Sequence, residues 1–385
     1  MRIGRFSALV LAILVAVPGA AHAATAPTAP DVRPVAAPTG DTTGAKTKKV
    51  IVDADMGELN DDAVALFMLA NSPSVDVLGV TIVAGNTWAE EGTAYGLRQL
   101  ELIKRTDIPV IVGAGEPLNA SRQQQLAAEQ DLFGNIEYTG AFSRERPRSY
   151  RDLAEPPYGG YPKTRPAKGT AVKFIVDQVK KHPHQVTLFA LGPAANVTLA
   201  MKEHPEIVPL VKDVIYMGGA FDVPGNTSPA AEFNWWFDPE AAKMAVRTPF
   251  EKQTIVPLDV CETVTYSKAE YDRIVAGRET PIKKMFKDLH GPGFAEDPED
   301  TSFVWDALTA AIFLEPDLAT KVEKRYVDVD STYGPNYGRS MGYGPSRNRS
   351  LDNPDDFPVG TQQADILLEI DQKRFWDLYI SLMRR

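Results

Sequence analysis

Residues 48–70 constrain the fold most, because a strand, a polar turn and an apolar helix-forming run follow one another within them. The apolar run starts at Val50, and two aspartates, Asp53 and Asp55, lie at its end. Since side chains alternate with a period of two along a strand, both aspartates point to the same side of its carboxyl end. The turn after them contains Gly57. This order is typical of the first unit of an α/β sheet, whose ligands bind beyond the carboxyl ends of the strands.

Two more aspartates open the predicted helix after that turn. Asn60 is a good N-cap residue, and acidic residues at positions 61 and 62 suit the dipole of the first helical turn. Four carboxylates would then converge and raise one another's pKa values. A hard divalent cation stabilises such a cluster, and oxygen atoms are the ligands that calcium prefers. The alternative is a solvated acidic turn before a capped helix, but four aspartates at one junction favour a ligand site.

Strand-like and helical stretches alternate along the rest of the chain, with strands expected at 75–83, 110–112, 186–191, 214–217, 254–258 and 365–370. Helices are expected at about 89–104, 307–314 and 373–383. This alternation predicts an α/β fold with a mainly parallel (mixed), open sheet covered by helices on both faces. Residues 116–168 show no clear periodicity and are interpreted as an extended insertion or active-site rim.

The amino terminus predicts export. Arg2 and Arg5 precede an apolar run over 8–17, and an A-x-A triplet ends at Ala23, which is typical of a cleavable signal peptide at 1–23. Residues 24–47 are rich in Ala, Pro and Thr and are interpreted as a flexible leader. The apolar run is short for a membrane span. We therefore expect a secreted or periplasmic protein with no membrane contact after cleavage, and a single domain over 48–385.

Composition limits the partners. The chain has 51 acidic and 41 basic residues, which argues against nucleic acid as a partner. Cys261 is the only cysteine, so no intrachain disulfide can form, and we interpret it as a buried small residue.

Several motifs carry a resemblance to a known family. Asp53-Ala54-Asp55-Met56-Gly57, followed after three residues by Asp61-Asp62-Ala63, resembles the signature D-T-D-x-G-x-D-D-A of the inosine-uridine-preferring nucleoside hydrolases, with two extra residues in the turn. Gly85-Asn86 and Leu191-Gly192-Pro193 resemble the family's motifs after two other strands. Residues 225–234, with Asn226, Glu232 and Asn234, match its G-N-x-x-x-x-x-E-F-N segment.

The resemblance implies a Rossmann-like fold and a calcium-dependent hydrolase that cleaves the N-glycosidic bond of ribonucleosides to give ribose and free base. It implies that calcium is bound by Asp55, Asp62, Asp306 and the backbone carbonyl of Leu191. Asp55 would also act as general base on water, and Asp53 would support the metal ligands. The residues implied to bind the sugar are Asp61, Asn86, Asn226, Glu232 and Asn234. Family members are commonly dimers or tetramers, so a homodimer or homotetramer is expected.

Position 305 also departs from the family pattern. Asp306 follows Trp305, where family members often have the histidine that serves as acid for the departing base. We expect Trp305 to stack on the nucleobase instead. The sequence leaves the choice between purine and pyrimidine bases open.

Two alternatives of other classes remain at this stage. A secreted nucleoside- or ribose-binding protein would keep the calcium pocket without catalysis, which the missing histidine suggests. A phosphatase of the haloacid dehalogenase type would use Asp53-x-Asp55 with magnesium, but it leaves Glu232-Phe233-Asn234 unexplained.

Overall fold

The computed structural model describes residues 47–385. The predicted signal peptide and the leader up to residue 46 lie outside the described residues, and the predicted domain boundaries stay predictions. The strands are β1 (Lys48–Ala54), β2 (Val75–Ile82), β3 (Val110–Val112), β4 (Val186–Ala190), β5 (Asp213–Met217), β6 (Gln253–Val256), β7 (Thr265–Tyr266), β8 (Ser302–Phe303), β9 (Ala319–Val329), β10 (Ser340–Tyr343) and β11 (Gln362–Ile370).

The α-helices alternate with these strands over most of the chain. They are α1 (Asp61–Ala70), α2 (Ala89–Leu102), α3 (Arg122–Phe133), α4 (Ala171–Lys181), α5 (Ala195–Glu203), α6 (Phe233–Phe237), α7 (Pro239–Val246), α8 (Leu258–Cys261), α9 (Lys268–Val275), α10 (Pro281–Leu289), α11 (Gly291–Glu296), α12 (Asp306–Leu314) and α13 (Gln372–Met383). Short 3-10 helices occupy Gly140–Ser143, Pro205–Leu210, Pro316–Leu318 and Pro354–Asp356.

A nine-stranded sheet in the order β10-β9-β11-β6-β5-β4-β1-β2-β3 organises the described part of the chain. The strands from β11 to β3 run parallel, whereas β9 is antiparallel to both β11 and β10. β7 and β8 form a separate antiparallel pair. The predicted mainly parallel, mixed sheet is therefore confirmed.

Helices cover both faces of this sheet, as predicted. Along β1, Val50 and Val52 pack on one face with α1, α12 and α13, while Ile51 packs on the other with α4, α5 and α7. This alternation follows from the strand period of two. The order of strands reverses at β1, which pairs with β2 on one side and β4 on the other. In open α/β sheets a crevice forms at such a reversal, outside the carboxyl ends of the strands.

One predicted boundary is wrong in detail. The strand expected at 254–258 ends at Val256, because Pro257 introduces the short helix α8.

Residues 116–168, interpreted as an insertion or active-site rim without clear periodicity, contain α3. That helix lacks a continuous apolar face, because it buries Arg122 and Glu129 as an ion pair with Nη1 and Oε1 2.6 Å apart. Periodicity of apolar residues therefore carried no signal for it.

Cys261 is buried, as predicted. Within residues 47–385, none of the helices combines the length and the apolar character that a membrane crossing requires.

Candidate active site

The crevice between β1 and β4 brings together the polar motifs that follow several strands. Asp53 and Ala190 are paired near the ends of these two strands, so Asp55 and Leu191 emerge side by side. Asn86 follows β2, the other neighbour of β1. The topology therefore explains why motifs far apart in sequence meet at one edge of the sheet.

Asp55, the first residue after β1, lies completely buried at the centre of this edge. Its Oδ2 accepts a hydrogen bond of 2.5 Å from the backbone N–H of Asn86, and its own N–H donates to Oδ1 of Asp62 at 3.2 Å. Two glycines make room for the carboxylate. A Cβ at position 192 would lie 2.6 Å from Oδ1 of Asp55, and a Cβ at position 85 would also meet this side chain. The glycines of both motifs are thus needed for the position of Asp55.

The turn from Met56 to Asn60 sets the start of α1. Leu59 has a φ of 52°, a left-handed conformation that is uncommon for a residue other than glycine, and its side chain is buried. Asn60 caps the helix as predicted, because its Oδ1 accepts from the N–H of Ala63 at 3.2 Å. Its Nδ2 also donates to Oδ2 of Asp62 at 2.7 Å. The longer turn therefore still places Asp61 and Asp62 in the first turn of the helix.

Three carboxylates gather beside Asp55. One oxygen from each of Asp61, Asp62 and Asp306 lies within 4.8 Å of the others. Burial raises the pKa of Asp62 to about 7 and that of Asp61 to about 6, and the charge of Asp61 adds to the effect on Asp62. Burial, together with the neighbouring aspartates, also raises the pKa values of Asp55 and Asp306 well above the ordinary range. Without a counter-charge, this cluster holds its negative charge only at a high free-energy cost.

The donor set fits a hard divalent cation. Oδ1 of Asp55, Oδ1 of Asp306 and Oδ1 of Asn234 are buried without a hydrogen-bond partner. The carbonyl of Leu191 accepts one hydrogen bond, from Nδ2 of Asn234 at 2.7 Å, and a carbonyl oxygen has a second lone pair. All these candidate ligand atoms are oxygens, which calcium prefers. The assignment of individual ligands stays a prediction, and Asp61, predicted to bind the sugar, lies in the same carboxylate group.

A pocket of about 470 Å³ opens above the carboxylates. All six residues predicted to bind the substrate line it, together with Leu191: Asp61, Asn86, Asn226, Glu232, Asn234 and Trp305. Asp55, Asp62 and Asp306 lie beneath this lining and are almost completely buried. The pocket thus has an acidic floor and polar walls.

The wall that contains Glu232 and Asn234 is helical. Glu232 is the N-cap of α6, and Asn234 belongs to its first turn. The Glu232 carboxylate accepts from the backbone N–H groups of Gly219 and Asn234 at 3.0 and 2.8 Å. Burial raises its pKa to about 7. The Glu232 carboxylate is therefore held in place because it accepts hydrogen bonds from N–H groups that have no partner within the helix at the start of α6.

Asp53 supports the floor from below. Its Oδ1 accepts from Oγ1 of Thr81 at 2.6 Å and from Nδ2 of Asn196 at 2.7 Å. Burial raises its pKa to about 7, against the effect of these two hydrogen bonds. Asn196 lies in the first turn of α5, shortly after the Leu191-Gly192-Pro193 motif, so it ties this segment to β1.

The pocket residues that escaped the sequence analysis include Glu58, Tyr95, Tyr138 and Arg144. Tyr138 donates from its hydroxyl to Oδ1 of Asn86 at 2.7 Å, and its ring lies 5.0 Å from that of Phe233. Tyr138 and Arg144 belong to the stretch without periodicity, where the sequence held no signal for them.

The described residues that line the pocket include no histidine. His290 lies between α10 and α11, with its Nδ1 3.2 Å from the hydroxyl of Tyr266 and its ring packed against Phe286. Burial lowers its pKa. His290 therefore packs among aromatic side chains and is not one of the residues that line the pocket.

The family model described as "Inosine-uridine preferring nucleoside hydrolase" matches residues 50–377. The pyrimidine-specific ribonucleoside hydrolase RihB of Escherichia coli is 31% identical over 349 residues, which represent 88% of this chain and 97% of the relative.

Solved structures share the fold. The plant nucleoside hydrolase PpNRh1 superimposes with a TM-score of 0.70 at 24% identity, covering 88% of this chain and 99% of the other. A purine-preferring ribonucleoside hydrolase from Gardnerella vaginalis superimposes with a TM-score of 0.65 at 21% identity, covering 88% of this chain and 98% of the other.

Proposed function

Because the chain belongs to the inosine-uridine-preferring nucleoside hydrolase family, whose members cleave N-glycosidic bonds, we propose that it is an exported, calcium-dependent hydrolase of ribonucleosides that releases ribose and free base. The observation that carries the calcium dependence is the group of buried carboxylates beneath a pocket with polar walls. Membership of this family also argues against the phosphatase alternative.

The buried oxygens define where the cation would bind. We assign Asp55, Asp62, Asp306 and the carbonyl of Leu191 as ligands, with Asp61 beside them. When bound, calcium would supply the positive charge that keeps these carboxylates ionised, activates a water molecule and orders the ribose hydroxyls.

Asp55 serves as general base in this proposal. Its Oδ2 is held by Asn86, whereas its Oδ1 is free of hydrogen bonds and can accept a proton from water. A base fixed in this way contributes about 10²- to 10⁴-fold to a rate. The two glycines at 85 and 192 keep the carboxylate in place.

The polar walls bind the sugar. Asp61, Asn86, Asn226, Glu232 and Asn234 offer amide and carboxylate oxygens to the hydroxyl groups of ribose. As the bond to the base breaks, positive charge develops on the sugar ring. Acceptors already oriented towards this charge stabilise the transition state more than the substrate.

Trp305 is the tryptophan among the pocket-lining residues. Its indole ring is half-buried, and its Nε1 has no hydrogen-bond partner although it is inaccessible to solvent. We assign to it the stacking of the nucleobase. The named activity of the Escherichia coli relative makes uridine the first substrate to test, although the solved structures include a purine-preferring enzyme.

The function is tested by incubating the purified mature protein with uridine, cytidine, inosine and adenosine in phosphate-free buffer. Released base is measured by chromatography and released ribose by a reducing-sugar assay. We expect equal amounts of both products from at least one nucleoside. Binding of nucleosides without any release would instead support the alternative of a non-catalytic binding protein, and release of ribose 1-phosphate only on addition of phosphate would indicate a phosphorylase.

Export and assembly are part of the proposal. The signal peptide predicts that the exported protein begins at residue 24, which the mass of the protein recovered outside the cytoplasm tests directly. A full-length mass in that fraction would contradict cleavage after Ala23. The predicted homodimer or homotetramer is tested by light scattering, in which a monomer mass would contradict it.

A further inference from the structure

The charges around the pocket are unevenly distributed. Its floor and walls carry the carboxylates of Asp61, Glu232 and Glu58. Among the described residues that line the pocket, Arg144 is the one with a cationic side chain. The reaction separates charge in the same sense, because the ribose becomes positive and the departing base becomes negative.

The guanidinium of Arg144 has N–H groups that are available to bind a ligand. Its one ion pair is a distant one, with Nη1 3.7 Å from Oε1 of Glu91, and 43% of the side chain is exposed. The next arginine along the chain is different, since Arg146 donates to both oxygens of Glu90 and to Glu116 at 2.8 to 3.0 Å. Arg144 is thus free to bind a ligand, whereas Arg146 is already engaged.

The backbone at Arg144 is nevertheless fixed. Its carbonyl accepts from Nε1 of Trp88 at 3.0 Å, and its N–H donates to the carbonyl of Ala141 at 3.2 Å. Trp88 is itself buried at the start of α2. The side chain therefore extends from a rigid attachment at the edge of the pocket.

Two tyrosines, Tyr95 and Tyr138, line the pocket together with Arg144. Burial raises the pKa of Tyr95 to about 12 and also raises the pKa of Tyr138, and the positive charge of Arg144 opposes this effect at both phenols. Tyr138 also donates to Asn86 beside the carboxylate floor. Arg144 and the two phenols therefore share the pocket with the residues assigned to the sugar.

We propose that Arg144 binds the departing nucleobase and stabilises the negative charge that develops on it as the N-glycosidic bond breaks. This inference rests on the proposed function. The C1′–N bond breaks with its electron pair passing to the base nitrogen, and the oxygen of water bonds to C1′. One proton of that water passes to Asp55, and a proton is then returned to the base, so the products are ribose and neutral base. An arginine donates in this way through its planar fork to a carbonyl oxygen and a ring nitrogen of the base.

The test compares leaving groups that differ in their need for stabilisation. Uridine or inosine releases a basic anion, whereas p-nitrophenyl β-D-ribofuranoside releases nitrophenolate, which is stable as an anion. We expect Arg144→Met to lower kcat/KM for the nucleosides about 10²-fold, as for removal of one preorganised donor. The same variant should leave kcat/KM for the nitrophenyl riboside almost unchanged. Arg144→Lys, which keeps the charge but loses the fork, should fall in between on nucleosides.

Arg146→Met is the matched control, because this arginine is similarly exposed and is engaged outside the pocket; it should behave like the unaltered protein on both substrates. Equal fractional losses of Arg144→Met on nucleosides and on the nitrophenyl riboside would overturn the proposal, as would unchanged rates on nucleosides. If the unaltered protein released neither base nor nitrophenol, the proposed function itself would fail, and this inference with it.

Discussion

Asp55 and Asp62 are joined by a hydrogen bond of 3.2 Å from the backbone N–H of Asp55 to Oδ1 of Asp62. This contact fixes the end of β1 against the first turn of α1, and it brings two buried carboxylates side by side. Both have raised pKa values, because burial and neighbouring negative charge disfavour their ionised forms. The arrangement costs stability unless a cation is present, which is why we relate it to function.

Asp55→Asn should abolish turnover while leaving the protein folded. The amide preserves the size of the side chain but cannot accept a proton, so we expect kcat to fall by about 10²- to 10⁴-fold. Base release and the melting temperature are measured together. Asp76→Asn, at an exposed partner of Lys49, is the control and should retain full activity. Near-normal turnover of Asp55→Asn would refute the assignment of this residue as base.

Gly192→Ala should impair activity through Asp55. The new methyl group would lie 2.6 Å from Oδ1 of Asp55, so the buried carboxylate must move. Displacement of a catalytic group by about 1 Å can cost about 10²-fold in rate. Gly344→Ala is the matched control, because a Cβ there meets nothing within 4 Å. Retained kcat in Gly192→Ala would show that the position of Asp55 tolerates this shift.

Trp305→Ala should weaken the binding of nucleosides much more than the binding of free ribose. Loss of base stacking is worth about 1–3 kcal/mol, whereas the sugar contacts are on other elements. The comparison uses the inhibition constants of a nucleoside analogue that is not cleaved and of ribose. Trp305→Phe should restore much of the lost affinity. If the variant lost affinity for the nucleoside and for ribose equally, Trp305 would not stack on the nucleobase.

Removal of calcium should make stability depend on pH. The pKa of Asp62 is raised from its ordinary value of 3.8 to about 7 in the folded protein, so the folded state takes up a proton that the unfolded state releases. Stability of the chelated protein should therefore be greatest at low pH and fall as the pH rises from about 4 through about 7. Calcium competes with protons for these carboxylates, so its stabilising effect should grow over the same range.

Melting temperatures at about pH 5 and about pH 8, with chelator and with excess calcium, test this linkage. We expect the difference between the two conditions to be larger at the higher pH. The same difference at both pH values would indicate that the buried carboxylates do not bind the ion.

The sequence predicted the centre of the fold because its signals were local there. The apolar run before Asp53, the N-cap Asn60 and the acidic first turn together specified β1, the turn and α1. Asp238, followed directly by Pro239, likewise caps the start of α7. In each case the residues that define the element are adjacent in sequence.

Other parts were hidden because their causes are not local. The buried face of α3 is polar, since Arg122 pairs with Glu129 and donates to the carbonyl of Trp236. Tyr138 and Arg144 enter the pocket only because the chain folds back over Asn86 and Trp88. Such contacts depend on tertiary structure, which a single sequence without periodicity does not reveal.

The most direct test is a calcium titration of the chelated protein with ribose release as the readout. We expect no release in chelator and recovery as calcium is added up to saturation of one site per chain. We expect no recovery in Asp306→Asn, whose unpartnered oxygen belongs to the carboxylate floor. Full activity in the presence of chelator, or equal recovery in Asp306→Asn, would contradict a calcium site built on these carboxylates.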